Sequence, residues 1–394
     1  MRSRILPLLL SIFLFSITSC QQEDIVEHDD IYSPEKKHSH TVIVFFPWNE
    51  NLTNNFERNI LDMEKAVVNH NIENSRIIIV MSSSASKTNI IEIIHNNRSC
   101  YRDTLLTYHH ATFKNKSNIA RMISDIQNIA PSKEYSLIIG GHGMGWIPSS
   151  SIQLISQRAA PLHYTLTTKP LTRWFGGFTS DYQIDIVTLA EAISESNIYF
   201  RHILFDGCYM ASIEAAYELR HATDYLIASP TETMAYGIPY HLCLQYLTDN
   251  INYDAFCKEY ASFYTNYAYP SGTISVIDCR QLEPLADFIK HINQLNIENN
   301  VNTNSLQSMD GYTPSIFYDF SDYIRHKTIT PYLLSEYDAI ILKVIPYSYH
   351  TNSFYSAING WNKINTCSGV TTSEPSTNPL VKDYEQTSWY INTH

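Results

Sequence analysis

The sequence predicts an α/β sandwich built on a mostly parallel central sheet. Short runs of continuous apolar and β-branched residues read as strands buried on both faces, and segments with helical spacing lie between them. Composition agrees: of 394 residues, 44% are hydrophobic and 17% charged, which is enough for a large core.

The strand candidates, in order, are Thr41–Phe46, Arg76–Met81, Tyr135–Ile139, His202–Phe205, Asp224–Ala228 and Thr273–Ile277. Phe56, Ile60, Met63 and Val67 share a helix face after the first, and Ile119, Met122, Ile126 and Ile129 share one before the third. Thr188 with Glu191 has the spacing of a capping box. Met210, Ile213, Ala216 and Tyr217 predict a helix over Tyr209–His221, and Leu282, Leu285, Ile289 and Ile292 mark a later one. Residues 147–183 break the rhythm with Pro, Ser, Thr and Gly and form a long insertion, a kind of loop that is usually functional or mobile. From 300 to 394 the pattern is less regular. Residues 40–394 are therefore taken as one domain.

The N-terminus is a processing segment. Arg2 and Arg4 precede the apolar stretch Ile5–Ile17, which is too short for a permanent bilayer span, and Ile17-Thr18-Ser19-Cys20 has the form of a lipobox. Residues 1–19 then form a lipoprotein signal peptide, Cys20 carries the lipid, and residues 20–39 are a polar tether. This predicts export and a lipid anchor in a bacterial envelope, at the outer membrane on its periplasmic or outer face. The remaining six cysteines allow disulfides in an exported chain without requiring them, and no C-x-x-C or zinc-finger spacing occurs. A net charge of -12 argues against a nucleic-acid partner. The pairs His38/His40 and His109/His110 read as exposed rather than metal-binding.

Two segments carry the chemistry. Gly140-Gly141-His142-Gly143-Met144-Gly145-Trp146 follows one predicted strand and Asp206-Gly207-Cys208-Tyr209-Met210 follows another, at strand ends where open parallel sheets place reaction sites. A thiol attacks a carbonyl as thiolate, so a catalytic cysteine needs an imidazole or a helix N-terminus beside it. The predicted strands supply His142 as the imidazole, and the predicted helix puts Cys208 at its N-terminus. The N–H groups of Gly143 and Cys208 are the candidate oxyanion donors. Taken singly, a buried inert cysteine is the commoner case. The glycine loop lacks a P-loop ending, and no G-x-S-x-G or metal motif supports a serine or metal hydrolase.

The stretches Gly141–Trp146, Leu204–Leu219, Tyr225–Ser229, Gly237–Tyr240 and Thr273–Asp278 resemble the clostripain family of cysteine peptidases, relatives in fold of caspases and gingipains. The likeness begins near Thr41 and weakens after residue 300. It implies a caspase-like α/β/α sandwich with Cys208 as nucleophile, His142 as general acid/base and no obligatory third member. It implies a substrate pocket at Asp206, Ser229, Glu232 and Tyr236, with Asp206 receiving a substrate Arg or Lys; the competing role for Asp206 is to cap the helix after Cys208. Family members often carry Ser-Glu-Glu where this chain has Ser229-Pro230-Thr231, an acid where Tyr236 stands, and Trp where Ile238 stands. Glu232 is the compensating candidate. Cleavage between His and Cys is common in the family, and Arg158, Lys169 and Arg173 are the basic sites for it here. No cofactor is required; a calcium ion, which some relatives use, would call on Asp181 and Asp185, residues that loops ordinarily use as turn formers. The partners implied are a peptide or protein substrate and the membrane. The competing function is an inert lipoprotein of the same fold that binds peptides or proteins.

Overall fold

The computed structural model describes residues 25–27, 38–49, 51–96, 99–151, 183–295, 301–327 and 329–394. Its centre, among the described residues, is a ten-stranded sheet. Five adjacent strands are mutually parallel: β3 (Ser75–Ser84), β2 (His38–Phe46), β6 (Ser132–Gly140), β7 (Phe200–Asp206) and β8 (Thr223–Ala228). All overlap the predicted runs and extend beyond them, because polar residues at either end continue the ladder.

The parallel core is flanked by antiparallel strands. On one side lie, in order outward, β4 (Lys87–Asn96), β5 (Ser99–His109) and β1 (Ile25–Glu27); on the other lie β9 (Thr273–Asp278) and β10 (Tyr347–His350). The β4/β5 hairpin escapes sequence reading because its apolar residues alternate with Asn, Glu, Arg and Asp. Arg76 and Glu92 fasten it to β3 by a buried two-point ion pair, both N···O distances being 2.6 Å. In β9 the apolar run reports burial on both faces, not direction.

Alternation along β2 shows how the sandwich is filled. Val42, Val44 and Phe46 face α1 (Thr53–Asn69), while Ile43 and Phe45 join the opposite layer with α2 (Lys116–Ile129) and α3 (Ile186–Glu195). The predicted faces of α1 and α2 are the packed ones. On the second face lie α4 (Ile213–Glu218) and α7 (Leu282–Gln294), and on the first the single turn α5 (Tyr240–Cys243) and α6 (Tyr253–Thr265).

Three expectations fail here. Asp185, not Thr188, stands at the N-cap of α3, so the Thr188/Glu191 pair lies within the helix and caps nothing. The predicted helix over Tyr209–His221 shrinks to α4, capped by Ser212, whose Oγ accepts from the Ala215 N–H. A left-handed backbone at Tyr209 (φ 59°) prevents the helix from starting earlier. His40, expected at the surface, is buried among polar side chains.

The C-terminal part is more ordered than its sequence suggests. It adds α8 (Phe320–His326), α9 (Pro331–Val344), α10 (Ser388–Thr393) and short strands to the second layer, with Trp389 wholly buried against Tyr217 and Phe320. Among the described residues, Cys100, Cys208, Cys243, Cys257, Cys279 and Cys367 form no disulfide. Among the described residues no helix is long and apolar enough to cross a membrane.

Candidate active site

Backbone register brings the two motifs together. Gly140 at the end of β6 pairs with Asp206 at the end of β7, and the Gly141 N–H donates to the Asp206 carbonyl at 3.3 Å. His142 and Cys208 each follow that pair by two residues, so neighbouring strands deliver them at the same level. Glycine is needed at the crossing: a Cβ on Gly143 would lie 2.2 Å from the Cys208 carbonyl oxygen, and one on Gly207 would lie 2.8 Å from that of Gly141.

The loop that carries Cys208 is fastened from two sides. Tyr209 N–H donates to the Thr231 carbonyl (3.0 Å), Ala211 N–H to that of Ser229 (3.1 Å), and Thr233 Oγ1 to that of Gly207 (3.0 Å). From the C-terminal part, the Thr371 N–H donates to the Ala211 carbonyl at 2.9 Å and Phe317 stacks on Tyr209 at 5.3 Å. Cys208 is fully buried, and its Sγ accepts the Thr233 N–H at 3.2 Å. Because α4 starts five residues later, Cys208 does not sit at a helix N-terminus as expected. A donor that favours thiolate is instead the Thr233 backbone N–H.

His142 is partly buried, and its Nε2 meets Asn51 Oδ1 at 2.9 Å. Asn51 precedes α1 and was not among the residues singled out by sequence.

The four predicted pocket residues have different surroundings. Asp206 is fully buried and accepts the Ile238 N–H (3.1 Å) and the Tyr240 hydroxyl (3.0 Å), which ties the loop after β8 to the end of β7. It does not cap α4, since Ser212 does. Ser229 Oγ shares a 2.7 Å hydrogen bond with Thr273 Oγ1, within the turn after β8. Both carboxylate oxygens of the buried Glu232 face the Ala357 N–H at 3.0 and 3.1 Å. Tyr236 donates from its hydroxyl to Asp62 on α1 at 2.6 Å, and Asn59 donates to its carbonyl at 3.0 Å. Thr233, Tyr240, Asp62 and Asn51 are the contributors that sequence reading missed; only placement just beyond strand ends could have pointed to Asn51.

Cys20, Arg158, Lys169, Arg173 and Asp181 lie outside the described residues. Asp185 accepts the Ser149 N–H at 2.7 Å and its Oγ at 3.3 Å, so it joins the two edges of the insertion. Among the described residues no group of His, Cys, Asp and Glu is arranged to hold a metal ion.

The sequence model of the clostripain family matches residues 44–336. The chain belongs to the clostripain family. It is accordingly a cysteine peptidase, a hydrolase, with the caspase-like α/β sandwich of that family. A secreted C11 cysteine protease from Bacteroides thetaiotaomicron, "iotapain", is 40% identical with a TM-score of 0.84, covering 91% of this chain and 100% of its own. A clostripain from Bacteroides thetaiotaomicron, solved with the peptide inhibitor BTN-VLTK-AOMK, is 44% identical with a TM-score of 0.54, covering 56% of this chain and 99% of its own. An inactive zymogen C11 protease from Parabacteroides distasonis is 22% identical with a TM-score of 0.76, covering 91% of this chain and 99% of its own, and shares the fold. No curated protein matches.

Proposed function

We propose that this clostripain-family peptidase is an exported, lipid-anchored endopeptidase that cuts after Arg or Lys through a Cys208/His142 dyad. The observation that supports the dyad is the Gly140/Asp206 pairing, from which the His142 and Cys208 loops leave adjacent strand ends. In this mechanism His142 takes the Cys208 proton and the thiolate adds to the scissile carbonyl. The N–H groups of Gly143 and Cys208 hold the oxyanion. His142 then gives its proton to the amine, which leaves, and a thioester joins the acyl group to Cys208. Water, losing a proton to His142, adds to the thioester; collapse releases the carboxylic acid and the thiolate recovers the proton.

Asp206 supports basic P1 selectivity, because a buried carboxylate binds a cation far better than a neutral side chain. The VLTK inhibitor held by the 44% identical relative ends in lysine, which points the same way. Export is supported by the secreted relative and by the lipobox ending at Cys20. Self-cleavage at Arg158, Lys169 or Arg173 is favoured by the Ser149–Asp185 bond, which would keep both edges of the insertion anchored after a cut.

The second reading, an inert binder of peptides, draws on the full burial of Cys208 and on Tyr236 bonding to Asp62. A fluorogenic peptide panel varied at P1 decides between them, run on the wild type, Cys208→Ala and His142→Ala. Turnover of Arg and Lys peptides by the wild type alone supports the peptidase; turnover that survives in Cys208→Ala overturns the dyad, and none by the wild type favours the binder.

A further inference from the structure

We propose that Asn51 is the positioning residue of His142, a third member that completes the dyad; the proposal rests on the reading of His142 as general acid/base. Three adjacent parallel strands end together. Phe45 of β2 pairs with Ile139 of β6, and Gly140 of β6 pairs with Asp206 of β7. Beyond those ends lie Asn51, His142 and Cys208, so each strand contributes one polar side chain to the same rim of the sheet.

Asn51 is held by its surroundings. The turn that carries it is closed by the Leu52 N–H on the Asn49 carbonyl (3.3 Å), by Thr53 Oγ1 on the same carbonyl (2.8 Å) and by the Asn55 N–H on the Leu52 carbonyl (2.8 Å). The Leu52 side chain is buried. One turn into α1, Asn55 Nδ2 donates to the Ala235 carbonyl at 2.6 Å, and Asn59 Nδ2 donates to that of Tyr236 at 3.0 Å. Those carbonyls belong to the loop whose Thr233 N–H meets Cys208 Sγ. Asn51 thus stands on a scaffold bonded to the support of the nucleophile.

The chemistry of the contact selects a tautomer. An amide oxygen only accepts, so at 2.9 Å the Nε2 of His142 carries the hydrogen and donates it. The nitrogen left with a lone pair is Nδ1, which is then the one that exchanges a proton with the thiol. Without Asn51 the ring loses this restraint on tautomer and rotation, and a share of the molecules presents the wrong nitrogen.

The test is steady-state kinetics on the preferred P1 peptide for the wild type, Asn51→Ala and Asn51→Asp. Asn51→Ala should lose roughly 10- to 100-fold in kcat with KM unchanged, as removal of an orienting group predicts. Asn51→Asp keeps an oxygen acceptor and should recover kcat to within several-fold of the wild type. Thermal unfolding of all three should coincide, because Asn51 is exposed. Wild-type kcat in Asn51→Ala, or an Asp variant as impaired as the Ala variant, overturns the positioning role while leaving the dyad intact. Absence of turnover in the wild type itself overturns the dyad, and the role of Asn51 with it.

Discussion

The same three strands carry a set of polar side chains at each end; each set includes histidine, and the two differ in almost everything else. At the trailing rim stand Asn51, His142 and Cys208. Near the leading ends lie His40 on β2, Ser136 on β6 and His202 on β7, with Tyr253 of α6 beyond. His40 Nε2 meets Ser136 Oγ at 2.8 Å, and His202 Nδ1 meets both Ser136 Oγ and the Tyr253 hydroxyl at 3.2 Å. This leading cluster is buried, and burial pushes His40 down to about 4 and His202 well below the usual imidazole range. Its histidines are neutral internal polar groups. The trailing set lies where the ladder has ended and glycines let two loops cross. On the proposed dyad, what separates His142 from His40 and His202 is where it stands, not what it is.

The sharpest way to break this contrast is to fill the crossing. In Gly143→Ala the new Cβ would meet the Cys208 carbonyl oxygen at 2.2 Å and Met210 Cγ and Sδ at 2.9 Å. The loops must part, and a misplaced nucleophile or oxyanion donor costs on the order of 10³ in rate. We expect kcat/KM to fall by about that factor in a protein whose far-ultraviolet circular dichroism is unchanged. Activity within tenfold of the wild type would show that the crossing does not set the geometry.

The leading end should answer to pH through stability. Unfolded, His40 takes its proton near 6.5, and folded near 4, so the unfolded state binds more protons between these values. Stability from this group is therefore present above that window and is lost as pH falls through it. Between pH 7 and 5 the loss is about 2 kcal/mol. Glu134 and Asp249 raise the His40 value and Arg201 lowers it. Buried Glu214 and Asp310, pushed up to about 7, act in the opposite sense on acidification. The check is consequently a difference: urea unfolding at both pH values, with His40→Gln expected to lose less stability on acidification than the wild type by that amount. Equal losses would mean that His40 does not titrate with folding.

Asp206 belongs to the trailing rim, since it ends β7 and also holds the loop after β8. Asp206→Asn keeps one acceptor for the Ile238 N–H and removes the charge. The proposed preference for Arg or Lys over a neutral P1 residue should drop about tenfold in relative kcat/KM. An unchanged preference would move selectivity to another carboxylate, with Glu232 the first to examine.

How much of this the sequence discloses follows the same division. The meeting of the His142 and Cys208 loops is legible because glycine-rich loops after apolar strands have a distinctive composition, and the five parallel strands are legible from continuous burial. The Tyr209–His221 helix is misread because periodicity carries no sign of the left-handed turn at Tyr209. His40 is misread because burial of a polar residue depends on Ser75, Ser136 and His202, which come from three other strands. Asn51 is hidden for a plainer reason: asparagine is abundant in this chain, and only the fold shows which one reaches His142. The β4/β5 hairpin, with alternating polar residues, lacks the signal that exposes its neighbours.

The smallest expected effect draws the boundary between the two ends most finely. Tyr253→Phe removes the hydroxyl 3.2 Å from His202 Nδ1 and keeps the ring, which packs on His202 at 5.6 Å and on Tyr225 at 4.8 Å. His202 Nδ1 retains Ser136 Oγ, so no new polar atom is stranded on the imidazole. The hydroxyl also meets Arg201, whose half-exposed guanidinium can turn to water instead, so the cost should be about 1 kcal/mol in urea unfolding, with kcat/KM unchanged. The strands between the clusters are close-packed, and a lost hydroxyl leaves their register alone, so nothing carries the change from α6 to the rim. A fall in kcat/KM beyond twofold would show that the buried cluster is coupled to the dyad along β7, and the separation of a structural end from a chemical one would have to be abandoned.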